Sequence, residues 1–190
     1  MQLVFATNNL NKIREVQALI PNHIKLLSLN DIDCFEDIPE TQNTIEGNSI
    51  QKAKYVKTHY GYDCFADDTG LEVAILNGAP GVYSARYAGE QRNADDNMDK
   101  LLTELRNKTN RNGQFKTVIT LQLNNKQYIF TGICEGEITN TKSGASGFGY
   151  DPIFKPKGYQ QTFAEMDLSL KNRIGHRGKA VLQLVDFLKS

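Results

Sequence analysis

The spacing of apolar residues changes several times along the chain, and each change predicts an element. Leu3 to Ala6 is an unbroken apolar run of strand length. Asn8-Asn9-Leu10-Asn11 interrupts it, and a helix is expected from about Lys12, with Ile13, Val16 and Ile20 on one face. Ile24 to Leu29 reads as a second short strand. Thr44 is placed to cap a helix whose Ile45, Ser49, Ala53 and Val56 recur at helical spacing. Asp63 to Asp67 reads as a strand closing on two acids, with a turn at Gly70 and another strand over Leu71 to Ile75. Asn93-Ala94-Asp95-Asp96 opens a helix striped by Met98, Leu101, Leu102 and Leu105, since a cap and acids suit the positive helix end. Phe115 to Leu123 and Lys126 to Ile138, joined by Asn124-Asn125, predict a β-hairpin. Val181, Leu184, Val185 and Leu188 mark a C-terminal helix. Strands and helices that alternate, then a hairpin, then a helix indicate an α/β protein with a mixed sheet, in a single domain over 1–190.

Composition narrows the function classes. The 190 residues carry 22 Lys+Arg against 22 Asp+Glu, so the formal charge is zero. That balance argues against a dedicated nucleic-acid binder, which shows a strongly basic domain. Apolar residues spread along the whole chain argue against disorder. Cys34, Cys64 and Cys134 have no metal-like spacing and read as reduced thiols of a cytoplasmic protein. No apolar run reaches membrane-spanning length, and the first residues lack the form of a signal peptide. The expected partners are therefore neither nucleic acid nor membrane.

Six segments hold residues suited to chemistry. The turn Thr7-Asn8-Asn9-Leu10-Asn11-Lys12 leads into a helix, whose free N–H groups and positive end favour a phosphate, with Lys12 adding a full charge. An ordinary Asn-capped turn fits the same residues. Asp67 and Asp68 end an apolar strand, where carboxylates need a cation or strong donors. Adjacent strand residues face opposite sides, so the two acids are not expected to share one role. Glu40 and Lys52 are unremarkable taken alone. The loop from Gly78 to Tyr87, rich in small residues, suits either a ligand-side loop or a simple turn. In Ser146 to Phe154, glycines flank Phe148 and would let a flat ligand approach it; a core plug is the alternative. Lys171 to Lys179 gathers cations at the mouth of the last helix, the end that disfavours them, and Arg177 offers a rigid fork of donors.

In order along the chain, Thr7-x-Asn9-x-x-Lys12-x-x-Glu15, then Glu40, Thr44, Asn48 and Lys52-Ala53, then Ala66-Asp67-Asp68-Thr69-Gly70-Leu71-Glu72-Val73 form one series. Gly78 to Tyr87, Phe148 to Pro152 and Gly175 to Ala180 complete it. Together they resemble the inosine triphosphate pyrophosphatase family, the HAM1 or RdgB type of nucleotide pyrophosphatase. The resemblance implies a two-lobed α/β/α fold with a central mixed sheet and an active site in the cleft between the lobes. It implies hydrolysis of the deaminated purine nucleoside triphosphates ITP, dITP and XTP to monophosphate and pyrophosphate, with Mg²⁺ as cofactor and a homodimer as assembly. It further implies roles: Thr7, Asn8, Asn9, Lys12 and Lys52 on the phosphates; Glu40 and Asp68 on the metal, with Asp68 also the general base. Thr69 would contact the nucleotide, and Phe148, Gly149, Tyr150, Asp151, Lys171, His176 and Arg177 would hold the base. Two positions depart from the family. Gly175 stands where Ser is frequent, and Gly47 where Glu is frequent.

On this reading a triphosphate is approached by a carboxylate only with a metal and lysines to offset its charge. Arg177 or His176 donating to a purine carbonyl would favour hypoxanthine and xanthine over adenine. A Maf-like pyrophosphatase for other nucleotides, or a sensor that binds without hydrolysis, are the competing functions. Glu40 together with Asp68 speaks against the sensor, which needs no base beside a metal.

Overall fold

The computed structural model describes residues 1–189. Among the described residues, seven strands and five α-helices follow the order β1(Gln2–Phe5) α1(Leu10–Gln17) β2(Lys25–Leu27) α2(Ile45–Tyr60) β3(Cys64–Val73) β4(Pro80–Gly81) α3(Ala94–Glu104) β5(Asn112–Leu123) β6(Lys126–Ile138) β7(Phe154–Pro156) α4(Leu168–Ile174) α5(His176–Lys189). The chain forms two compact units. The first holds Met1–Asp68, Thr117–Gly132 and the chain from Arg177 onward; the second holds Thr69–Lys116 and Ile133–His176.

In the first unit β1 pairs in parallel with β2 and with the start of β3, matching Val4 to Cys64 and Phe5 to Phe65. One core packs Leu3, Phe5, Phe65, Ile119 and Leu121 with Val181 and Leu184 of α5. The other packs Val4, Ala6 and Ala66 with Ala53 and Val56 of α2. Successive residues of β1 thus feed opposite cores, as the two-residue period of a strand requires. In the second unit β3 pairs antiparallel with β4, and β6 with β7. There Met98 and Leu101 of α3 pack with Phe115, Phe154 and Phe163. Parallel and antiparallel pairings together make the mixed α/β class expected from the pattern.

The caps explain where helices begin. Asn9, Thr44 and Asn93 each accept backbone N–H groups at the start of α1, α2 and α3, as anticipated for Thr44 and Asn93. Asn124 and Asn125 both adopt left-handed φ values, +50° and +61°, which the expected two-residue hairpin turn needs.

Three expectations are corrected. β3 does not stop at the two acids; it runs unbroken through Asp67, Asp68, Thr69 and Gly70 to Val73. The acids meet cations inside the strand, so their burial does not end it. Ile75 lies in a tight helical turn, Ala74–Leu76, rather than in a strand. Lys171 to Ile174 belong to α4, which Gly175 separates from α5, so the basic cluster spans two helices.

Candidate active site

Capping sets the geometry of the opening turn. Asn9 Oδ1 accepts from the N–H of Asn11 and of Lys12, at 3.0 and 3.2 Å. Thr7 Oγ1 accepts from Asn9 N–H at 3.2 Å. These N–H groups are satisfied within the turn rather than left open for a phosphate, which corrects the expectation of free donors there. Asn8 is exposed on the same turn. Lys12 follows on the first turn of α1, and its Nζ donates to Asp67 Oδ1 at 2.9 Å.

Asp67 is fully buried and takes a second cation on its other oxygen, from Arg177 Nε at 3.2 Å. Arg177 also pairs with Glu15. Lys12, Asp67, Arg177 and Glu15 therefore form a chain of alternating charge. Burial alone would push Asp67 upward, but Lys12, Arg177 and Lys52 outweigh it and hold the carboxyl below the usual carboxylate range. Burial draws Lys12 below the ordinary lysine value despite Asp67. Arg177, only 3% exposed, is committed to two acids. The guanidinium expected to donate to a purine carbonyl thus also binds Glu15 and Asp67.

Asp68 faces other partners. Asn48 Nδ2 donates to Asp68 Oδ2 at 3.3 Å, and Lys52 Nζ lies 3.8 Å from Asp68 Oδ1. Lys52 Nζ also donates to Glu40 Oε1 at 2.5 Å. One ammonium on α2 thus stands near a strand carboxylate and a loop carboxylate. Burial pushes Asp68 above the ordinary aspartate value, with Lys52 and Lys12 opposing and Glu40 and Asp67 adding to the rise. Burial would lower Lys52, but Asp68, Glu40 and Asp67 outweigh it and raise it. The adjacent acids thus meet different partners, as the two-residue period of a strand requires.

In the second unit Thr69 is half-buried on β3. Asp151 Oδ2 accepts from Phe148 N–H at 2.7 Å and from Lys171 Nζ at 2.6 Å. Lys171 Nζ lies 4.9 Å from the Phe148 ring centre. Gly147, at φ +76°, makes this possible, because a Cβ there would fall 2.1 Å from Asp151 Oδ2. Gly149 is also left-handed, at φ +63°. His176 stacks on Phe115 at 4.6 Å. Tyr150, expected on the base, is instead a core residue that donates its hydroxyl to the Ser84 carbonyl at 2.8 Å. Its ring fills apolar volume, so it supports the loop from beneath.

Sequence reasoning left Asn48, Glu15 and Asp67 out of the site proper. Asn48 carried a signal. Asn is a poor interior helix residue, and one on the buried side of α2 needs a tertiary partner to stay there.

Against this geometry, the chain resembles proteins of one kind. The Ham1 family model matches residues 3–187. A dITP/XTP pyrophosphatase of Flavobacterium johnsoniae is 70% identical over 99% of this chain and 98% of its own. One from Flavobacterium psychrophilum is 68% identical over the full length of both. The solved Ham1 proteins of Staphylococcus aureus and Coxiella burnetii superpose with TM-scores of 0.91 and 0.92, each at 38% identity and covering 100% of this chain and 98% of the other. With its family match spanning nearly every residue, the chain belongs to the Ham1 family.

Proposed function

We propose that this protein hydrolyses deaminated purine nucleoside triphosphates, dITP, ITP and XTP, to the monophosphate and pyrophosphate, and so clears them before they enter nucleic acid. The observation that carries the chemistry is the split between neighbouring acids. Asp67 is neutralised by Lys12 and Arg177, whereas Asp68 sits beside Lys52, Glu40 and Asn48 with its side chain 13% exposed. The relatives named dITP/XTP pyrophosphatase support the substrate class.

The donor set suits Mg²⁺. Glu40 and Asp68 offer hard carboxylate oxygens around one cation position, now held by the Lys52 ammonium. Among the described residues no group of three or more His, Cys, Asp or Glu is placed to hold a metal ion, so this pair would rely on water and phosphate oxygens for its other ligands. Two carboxylates with waters and phosphate oxygens is a normal Mg²⁺ shell. When bound, the ion would offset phosphate charge and make a water more acidic.

The residues of the chain do the rest. Lys12 and Lys52 supply positive charge for the phosphate oxygens. Asp68, raised by burial, accepts a proton from the attacking water. The anhydride bond breaks and pyrophosphate leaves, with catalysis resting on positioning and charge. Phe148, Lys171 and Asp151 form the group that would receive the purine, with His176 and Thr69 as further contacts. Both the homodimer and the cytoplasmic location belong to this same proposal.

The test is incubation with Mg²⁺ and dITP, XTP, dGTP, dATP and dCTP, with products separated by chromatography. Monophosphate with pyrophosphate from dITP and XTP, well above the other three, is the expected result. Diphosphate with orthophosphate would overturn the reaction class, and equal rates on all five nucleotides would overturn the specificity.

A further inference from the structure

Asn48 is 2% exposed and makes two directional contacts. Its Oδ1 accepts from the backbone N–H of Gln42 at 2.9 Å. Its Nδ2 donates to Asp68 Oδ2 at 3.3 Å. The first contact fixes which end of the amide is oxygen, and so turns the NH₂ toward Asp68. Gln42 lies in the segment after Glu40 and crosses the first turn of α2 at Gly47. A Cβ at Gly47 would fall 2.7 Å from Gln42 Cβ and 2.9 Å from Thr44 Oγ1. The missing side chain at position 47 is therefore what lets Gln42 come close enough to donate to Asn48.

We infer that Gly47, Gln42 and Asn48 form an orienting device for Asp68, with Asn48 as its positioning residue. The device anchors one carboxylate oxygen and leaves the other on the Lys52 side. It gives Gly47, a departure from the common Glu, a physical role: it trades a side chain for a close loop contact. The inference rests on the reading of Asp68 as base and metal ligand. It adds a residue that acts through Asp68 without touching the substrate.

The test compares Asn48→Ala, Gly47→Ala and Asp68→Asn with the parent protein. Partners that orient a metal-binding carboxylate typically matter by about 10- to 100-fold. Asn48→Ala should lower kcat for dITP by about that factor while KM stays within about twofold. In the nucleotide-free protein, Mn²⁺ followed by electron paramagnetic resonance should show a half-saturation raised about tenfold. Gly47→Ala should lower kcat in the same direction, by displacing Gln42. A merely structural account, the clash of the new Cβ with Gln42 and the cap Thr44, predicts a lower urea midpoint with kcat and Mn²⁺ half-saturation left near the parent values. Gly47→Ala also carries the test if Asn48→Ala fails to fold. If both variants keep kcat and Mn²⁺ half-saturation within about twofold while Asp68→Asn is crippled, the inference falls alone. If Asp68→Asn itself retains turnover, the reading of Asp68 falls and takes this one with it.

Discussion

Lys12 and Arg177 hold the two oxygens of one carboxylate, Lys12 on Asp67 Oδ1 at 2.9 Å and Arg177 on Oδ2 at 3.2 Å. They come from opposite ends of the chain, so Asp67 ties the start of α1 to the start of α5 within the first unit.

Replacing Asp67 by Asn should therefore break the Lys12 ion pair and leave the buried Arg177 with one carboxylate fewer. Breaking a buried pair by removing one partner costs about 3–5 kcal/mol. Urea unfolding of Asp67→Asn should show a loss of that order. Because Lys12 would no longer be anchored, KM for the nucleotide should rise as well.

Gly147→Ala should disturb the second unit. The new Cβ meets Asp151 Oδ2, which must leave Phe148 N–H and Lys171. A donor left without its partner in a buried place costs about 1–3 kcal/mol. Steady-state kinetics should show KM for dITP raised by about tenfold, a loss near 1.4 kcal/mol, with kcat less affected. An unchanged KM would detach this loop from substrate binding.

The three thiols should resist alkylation in the native protein. All are buried, and burial pushes Cys64 up to about 12 and raises Cys34. The thiolate is the reactive form. A colorimetric thiol reagent at mildly alkaline pH should register almost nothing until denaturant is added, then three equivalents.

Glu36 offers a test of pH dependence. Tyr60 and Tyr55 both donate to its Oε1, at 2.5 and 3.0 Å, and the Tyr60 bond is the chief cause that holds Glu36 below the ordinary glutamate value. With the folded value below the unfolded one, its contribution is complete above the ordinary glutamate range. That contribution is lost as pH falls through the folded value. A carboxyl NMR titration should place Glu36 below the ordinary glutamate value, and Tyr60→Phe should move it upward.

Much of this was legible from residue order. The caps at Thr44 and Asn93 and the Asn124-Asn125 turn are local chemistry, decided within a few residues, and a linear reading finds them. The separation of Asp67 from Asp68 follows from strand period alone. What escaped is non-local. Asp67 and Asp68 read as a strand end because buried acids are costly without partners, and the partners lie far away in the chain, at Lys12, Lys52 and Arg177. Arg177 looked like a donor for a base because its acids, Glu15 and Asp67, sit 162 and 110 residues earlier. Tyr150 sat within a motif that suggested ligand contact, and nothing local revealed that its hydroxyl reaches Ser84.

The continuity of β3 has a genetic consequence. In an extended segment the neighbours of each side chain are set by parity, and a slip of one residue reverses them all. Deleting or inserting a single codon between Cys64 and Ala66 would present the wrong acid to Lys12 and Arg177, and leave the other beside Lys52. Both aspartates would survive in the reading frame and both assignments would be lost. Mutational scanning by length, rather than by identity, should find this stretch among the least forgiving in the gene.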